Sequence, residues 1–240
     1  MIYLFFDTET TGLPKDYNAP SSDLENWSCR LVQLGWIMQN EDKRILSQAN
    51  FIIKPEGFEI PKSSSDVHGI TTERALAEGE DLKKTVYMFL GAARLADVIV
   101  GHNISYDMHV MGAEMIRTWG KDYIENLPTI CTMQSSIDFC KLPGKRGFKY
   151  PKLQELHKKL FDTDFEDAHD AFADITATAA CFWEMKKQGI ISCVYIKFQD
   201  KNGLNCLLSL ESVGKKITWS SDHMHYYRIM ARILSMFAMK

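Results

Sequence analysis

An apolar run, Ile2 to Phe6, is followed at once by two carboxylates two residues apart, Asp7 and Glu9, in the stretch MIYLFFDTETTGLP. An unbroken run of large apolar side chains reads as a strand buried on both faces, placed over residues 2 to 7. The period of two sends residues 7 and 9 to the same side, so two carboxylates converge where the strand ends. Like charges brought together need a counter-ion. A divalent cation such as Mg²⁺ fits, because it takes a few carboxylate oxygens and keeps its other positions for water and phosphate. The alternative is a solvent-facing Asp and Glu in a strand-to-turn segment closed by Thr10, Thr11, Gly12 and Pro14.

Two further segments bring carboxylates in compatible settings. In ADVIVGHNISY a short strand, Val98 to Val100, runs into a Gly-His-Asn turn. With Ser105 as N-cap, Asp107 falls in the first turn of the next helix, its side chain near the strand ends. In AHDAFADITATAACFWEM, the residues Phe172, Ile175, Phe182 and Met185 mark the buried stripe of a helix, with His169 and Asp174 at its start and within it.

Taken in order, DTETTG, GHNISYD and H-x-x-x-x-D resemble the motifs of the DEDDh group of 3′-to-5′ exonucleases, the group of the proofreading epsilon subunit of bacterial DNA polymerase III. The resemblance covers roughly residues 1 to 190. It implies that Asp7, Glu9, Asp107 and Asp174 hold two divalent cations, Mg²⁺ or Mn²⁺, and that His169 is the general base. It also implies that Thr10 beside the first motif, His68 in VHGIT and Asn103 in GHN lie beside the terminal nucleotide; Thr8, and His102 through substrate phosphate, are further candidate substrate contacts. His102 has a second reading, in which it shapes the turn with Gly101. Because the family's ligand lies five residues after the histidine, Asp170 reads as a helix cap and Asp167 as solvent-facing.

The chemistry asks for those residue types. Phosphodiester hydrolysis needs an activated water, neutralised phosphoryl oxygens and a stabilised leaving oxygen, and two cations about 3.5 to 4 Å apart supply this. A histidine titrates near neutrality and suits the removal of the water's proton. That chemistry would serve an endonuclease equally; the resemblance alone implies an exonuclease that removes nucleotides from single-stranded or frayed 3′ ends of DNA as 5′-monophosphates. RNA or oligoribonucleotides are the alternative substrate, since nothing in the sequence decides whether a 2′-hydroxyl is tolerated. A polymerase-associated nucleic-acid-binding subunit with a retired site is the non-enzymatic alternative, and the full set of carboxylates argues against it.

A net charge of −3 is unexpected for a nucleic-acid enzyme until the charges are located. Between residues 141 and 160 there are seven Lys or Arg against one acid, Glu155. Lys145, Arg146 and Lys149, interleaved with Phe148 and Tyr150, read as a phosphate-tracking and base-stacking surface, with a solvated helix face as the alternative. No apolar stretch approaches the roughly 20 residues that span a bilayer. No charged-then-apolar leader opens the chain, so a cytoplasmic protein with no membrane partner is expected. The six cysteines show no C-x-x-C pairing and read as reduced thiols, not as zinc or disulfide sites.

The element pattern reads as α/β, a mixed sheet flanked by helices that resembles the ribonuclease-H-like fold. Strands at 2–7, 30–38 and 45–53 form an antiparallel meander. Helices follow at 72–77 and 81–95, then the Val98 strand, the helix after Asp107, a strand at 129–133, and helices at 151–160 and 170–188. At 240 residues and 45% apolar content the chain can bury one full core with an appendage. The exonuclease domain is assigned to residues 1–189. Residues 190–240 read as a small C-terminal ββα extension: strands Ile190 to Phe198 and Leu204 to Leu210, then a helix carrying Ile229, Met230, Ile233, Leu234 and Phe237. That apolar stripe packs on its own domain or, through its Met content, forms an adaptable partner surface. Separately, the resemblance leaves room for a polymerase or other replication or repair partner. The polar segment 14–28 is long for a connection, and its Trp27 either stacks on a base or anchors the loop to the core.

Overall fold

Strand β1 (Ile2–Thr10) runs on past the apolar run, so Asp7 and Glu9 lie within it and not beyond its end. β2 (Leu31–Asn40) explains the extra length, because it pairs antiparallel with β1 from Ile2↔Asn40 to Thr10↔Leu31. The threonines that continue β1 are β-branched and fit the pleat. The structure is a computed structural model and describes residues 1–164, 171–191, 193–199 and 205–211.

β3 (Ile45–Ile52) pairs antiparallel with β2 and forms one edge of the sheet, where Ile45 and Leu46 stay exposed. Three helices follow: α1 (Lys62–His68), α2 (Thr72–Glu78) and α3 (Leu82–Leu95). The sequence pattern does not foresee α1, whose KSSSDVH lacks an apolar stripe; it starts at Pro61 and stops at Gly69, a left-handed residue with φ 72°. α3 is capped by Asp81, whose carboxylate accepts from the Lys84 amide at 2.6 Å. β4 (Val98–Gly101) is buried throughout and pairs parallel with β1, and α4 (Ile104–Trp119) leaves it at once.

β5 (Thr129–Cys131) adds to β4 in parallel, completing the order β3-β2-β1-β4-β5. The strand expected to reach Met133 instead turns at Thr132 into α5 (Thr132–Ser135), followed by α6 (Ile137–Cys140). Thr132 is fully buried and donates its hydroxyl to the Gly101 carbonyl, which bends the chain there. A small hairpin, β6 (Pro143–Gly144) and β7 (Gly147–Phe148), leads to α7 (Leu153–Phe161) and then α8 (Ala171–Lys187).

Alternation along β1 sorts the helices into two layers. The even face sends Leu4 and Phe6 into the main core, where Phe6 and Trp36 both meet Phe89 of α3, at ring-centre distances of 4.7 and 6.0 Å. The odd face sends Tyr3 and Phe5 to α8, where Phe182 lies 5.0 and 5.3 Å from them. The result is a mixed sheet with helices on both faces, the ribonuclease-H-like arrangement expected.

The chain divides into two compact units, Met1–Ile191 and Ser192–Lys240. In the second, β8 (Cys193–Gln199) and β9 (Asn205–Glu211) form an antiparallel hairpin. The helix read around Ile229 to Phe237 lies outside the described residues. Among the described residues, Cys29, Cys131, Cys140 and Cys181 are free thiols, and no helix is long and apolar enough to cross a membrane.

Candidate active site

On the odd face of β1, Asp7 and Glu9 follow Tyr3 and Phe5 in the same row and are half-buried. β2 sets what sits above them. Gly35 is the partner of Asp7 and Gln33 the partner of Glu9. A Cβ at Gly35 would come within 2.6 Å of the Ile175 Cδ1 and 3.7 Å of the Ala171 carbonyl carbon, so the missing side chain is what lets the start of α8 rest on the sheet. Gln33 Oε1 accepts a long hydrogen bond, 3.5 Å, from the Ala171 amide at that helix start. With Ile175 fully buried against the sheet, Asp174 is delivered to the same spot. Asp7, Glu9 and Asp174 each place a carboxylate oxygen within 4.8 Å of the others.

The even face carries the fourth carboxylate. The ladder between β1 and β4 ends at Phe5↔Val100, so the β1 edge beyond it is open toward the start of α4. Asp107 in the first turn of α4 fills that gap: its Oδ1 accepts from the Thr8 hydroxyl at 2.6 Å and from the Thr8 amide at 3.1 Å. Burial pushes the Asp107 carboxyl up to about 7, against the opposing pull of the two Thr8 hydrogen bonds. The helix begins differently from expectation. Asn103, not Ser105, is the N-cap, in a left-handed conformation (φ 70°) that Asn tolerates and that makes the sharp turn out of β4.

The other anticipated residues divide between scaffold and surface. Thr10 Oγ1 lies 2.6 Å from the Tyr106 hydroxyl, and both hydroxyls reach the Gly12 carbonyl at 2.7 and 2.8 Å, so Thr10 ties the loop after β1 to α4. His68 is buried beside Thr10, its Nδ1 accepting from the Ile70 amide at 3.1 Å, and burial holds its pKa below the ordinary histidine value. His102 has both ring nitrogens engaged, Nδ1 with the Thr132 hydroxyl and Nε2 with the Pro151 carbonyl, each at 3.0 Å. With both nitrogens so engaged, the ring joins the end of β4 to the chain that follows the hairpin. Trp27 is fully buried, donates to the Ala19 carbonyl at 2.8 Å and stacks on His109 at 4.9 Å, so it anchors its loop and does not meet a base.

Lys145 and Arg146 are exposed at the tip of the β6–β7 hairpin, with Phe148 and Tyr150 exposed beside them. Lys149 is already paired with Glu155 at 2.5 Å. His169, with Asp167 and Asp170 around it, lies outside the described residues. Gly35 and Gln33 are the contributors that the sequence reading passed over. A glycine inside an otherwise apolar strand is itself a signal of close backbone approach and points to Gly35.

A mixed sheet with carboxylates gathered beside its first strand, one helix supplying a partner from each face, defines a nuclease-class α/β enzyme. The Exonuclease (RNase T) family model matches residues 4–182, and the chain belongs to that family, the DEDDh-type exonucleases. A PolC-type DNA polymerase III of Pediococcus pentosaceus is 27% identical over 185 residues, covering 77% of this chain and 11% of that protein. The fold matches E. coli exonuclease I in complex with a dA16 oligonucleotide, with a TM-score of 0.62 and 20% identity over 78% of this chain and 41% of that one. The zinc-bound form of the E. coli exonuclease I complex with single-stranded DNA matches with the same TM-score, identity and coverage. The chain thus spans 11% of the polymerase it resembles and 41% of the exonuclease.

Proposed function

We propose that the protein is a metal-dependent 3′-to-5′ exonuclease acting on single-stranded or frayed DNA ends and releasing nucleoside 5′-monophosphates. The observation that carries this reading is the convergence of Asp7, Glu9 and Asp174 within 4.8 Å. Three carboxylates in a half-buried setting suit a hard, oxygen-preferring divalent cation such as Mg²⁺ or Mn²⁺. Asp7, Glu9 and Asp174 would hold one cation, and Asp107 would take part in holding a second. When bound, the cations neutralise charge on the phosphoryl oxygens and acidify the attacking water.

The remaining steps belong to the chain's own side chains. His169 takes the water's proton. His68 and Asn103 flank the terminal nucleotide, and Thr10 holds the loop beside it. Lys145 and Arg146 track phosphates, while Phe148 and Tyr150 offer faces on which bases stack. Lys149 contributes less, because an exposed charge already paired with Glu155 has little left to gain. DNA is favoured as substrate because the exonuclease I structures of the same fold hold a DNA oligonucleotide and single-stranded DNA. A polymerase is the partner in view because the curated relative is a polymerase.

The test is a time course with 5′-labelled single-stranded DNA and matched RNA, with Mg²⁺, with Mn²⁺ and with EDTA. A metal-dependent ladder shortening from the 3′ end on DNA is expected. His169→Ala should slow it by about 10² to 10⁴. Faster loss of RNA would rename the substrate, and intact strands in every lane would overturn the reading.

A further inference from the structure

Thr8 sits between the two carboxylates of the first motif and faces away from both. Alternation puts it on the even face, where it is 6% exposed, too enclosed to meet a nucleotide. Its hydroxyl has a single hydrogen, donated to Asp107 Oδ1 at 2.6 Å, and its amide donates to the same oxygen at 3.1 Å. The amide is available because the β1–β4 ladder has already ended at Phe5↔Val100. A carboxylate gripped at one oxygen by two donors from one rigid strand residue has the direction of its second oxygen fixed. The strand that fixes it is the strand that carries Asp7 and Glu9.

We propose that Thr8 is a positioning residue for Asp107 and not a substrate contact. It couples the even-face carboxylate to β1, so that Asp107 moves with the strand that carries Asp7 and Glu9. The proposal rests on the reading of Asp107 as a metal ligand. A hydroxyl behind a ligating carboxylate acts on metal affinity, whereas a substrate contact acts on oligonucleotide binding, and the two are separable.

Thr8→Val removes the hydroxyl at nearly constant shape and keeps the amide, and Thr8→Ser keeps both donors. Mg²⁺ affinity is read on the full chain by calorimetry, alongside nuclease activity against Mg²⁺ and oligonucleotide concentration. Thr8→Val is expected to weaken Mg²⁺ affinity by about tenfold or more and to raise half-saturating Mg²⁺ in parallel. Its KM for oligonucleotide should stay at the parental value, and Thr8→Ser should restore parental Mg²⁺ affinity. Should the valine variant not fold, Thr8→Ala takes its place. Parental Mg²⁺ affinity in the folded hydroxyl-less variant overturns the proposal, as does a rise confined to KM. A parent chain that degrades nothing, yet binds Mg²⁺ with an affinity that depends on the Thr8 hydroxyl, would overturn the exonuclease reading and leave this one standing.

Discussion

On the odd face of β1, Asp7 and Glu9 stand half-buried with Asp174 of α8 gathered to them, whereas on the even face Asp107 is nearly sealed and gripped by Thr8. Both faces concentrate carboxylates at one end of a strand, and the physics of each is different. At such separations two unit charges repel by about 3 kcal/mol at an effective dielectric of about 20. The odd face therefore carries a mutual repulsion that a bound cation relieves. On the even face the largest cost is the desolvation of Asp107, and hydrogen bonds from one residue offset part of it. The difference separates a place built to receive positive charge from a place built to hold a ligand still.

The largest expected effect breaks this contrast at the odd face. Asp7→Asn or Asp174→Asn should reduce hydrolysis to background while raising the stability of the metal-free protein by about 1 to 2 kcal/mol, because one charge leaves the cluster. The added stabilisation that Mg²⁺ gives the parent should shrink in the same variants. Urea unfolding with and without Mg²⁺ reads both quantities. A metal-free variant less stable than the parent would mean that the carboxylates are held by attraction, and the contrast between the faces would be lost.

A second effect extends the contrast along the sheet to the end of β4. Burial acts on His102 as it acts on Asp107, favouring the neutral form, and lowers its pKa to about 4. The sign follows from linkage. The unfolded chain binds the proton near pH 6.5 and the folded one only near 4, so His102's contribution is complete above about 6.5 and is lost as pH falls toward 4. The loss is at most about 3 kcal/mol over that window. His102→Gln should remove this part of the acid sensitivity, seen as a smaller fall in unfolding free energy between pH 7 and pH 4.5 than in the parent. Equal slopes would show that burial does not hold the ring neutral.

These contrasts were legible in the sequence to unequal degrees. The succession of elements along the chain, the convergence of residues 7 and 9, and the place of Asp107 in a first helical turn all follow from signals that the local sequence carries. Which face each carboxylate reaches from does not, because it depends on helices packing on opposite sides of the sheet. Thr8 reads from sequence as one more polar residue beside the site, and only the end of the β1–β4 ladder reveals its amide turned toward Asp107. Trp27 and His102 had two readings each because an aromatic or an imidazole near a site looks the same whether it faces a ligand or the core. Their hydrogen-bond partners lie 8 to 49 residues away, beyond the reach of any local pattern. The hairpin at Pro143–Phe148 was missed as an element because two-residue strands leave no periodicity to read.

The smallest effect tests how closely α8 must approach for the odd face to assemble. The atom that would meet a new Cβ at Gly35 is the tip of Ile175, 2.6 Å away, while the next neighbours stand at 3.6 and 3.7 Å. A side-chain tip yields more readily than backbone, so Gly35→Ala should cost only about 1 kcal/mol, at the low end of overpacking, with part offset by the reduced freedom of the unfolded chain. Ile175→Val removes that tip and alone should cost about 1 kcal/mol. If the crowding runs through Ile175, Gly35→Ala should be nearly neutral in the Ile175→Val background, and the double-mutant cycle should show a favourable coupling close to the cost of the single glycine substitution. Activity should follow the same pattern, a few-fold loss in Gly35→Ala recovered in the double variant, because Asp174 precedes Ile175 and shifts with it. Full additivity in stability would mean that the glycine serves something other than the seat of α8, and the approach of Asp174 to Asp7 would then have to be credited to Gln33 and the helix start.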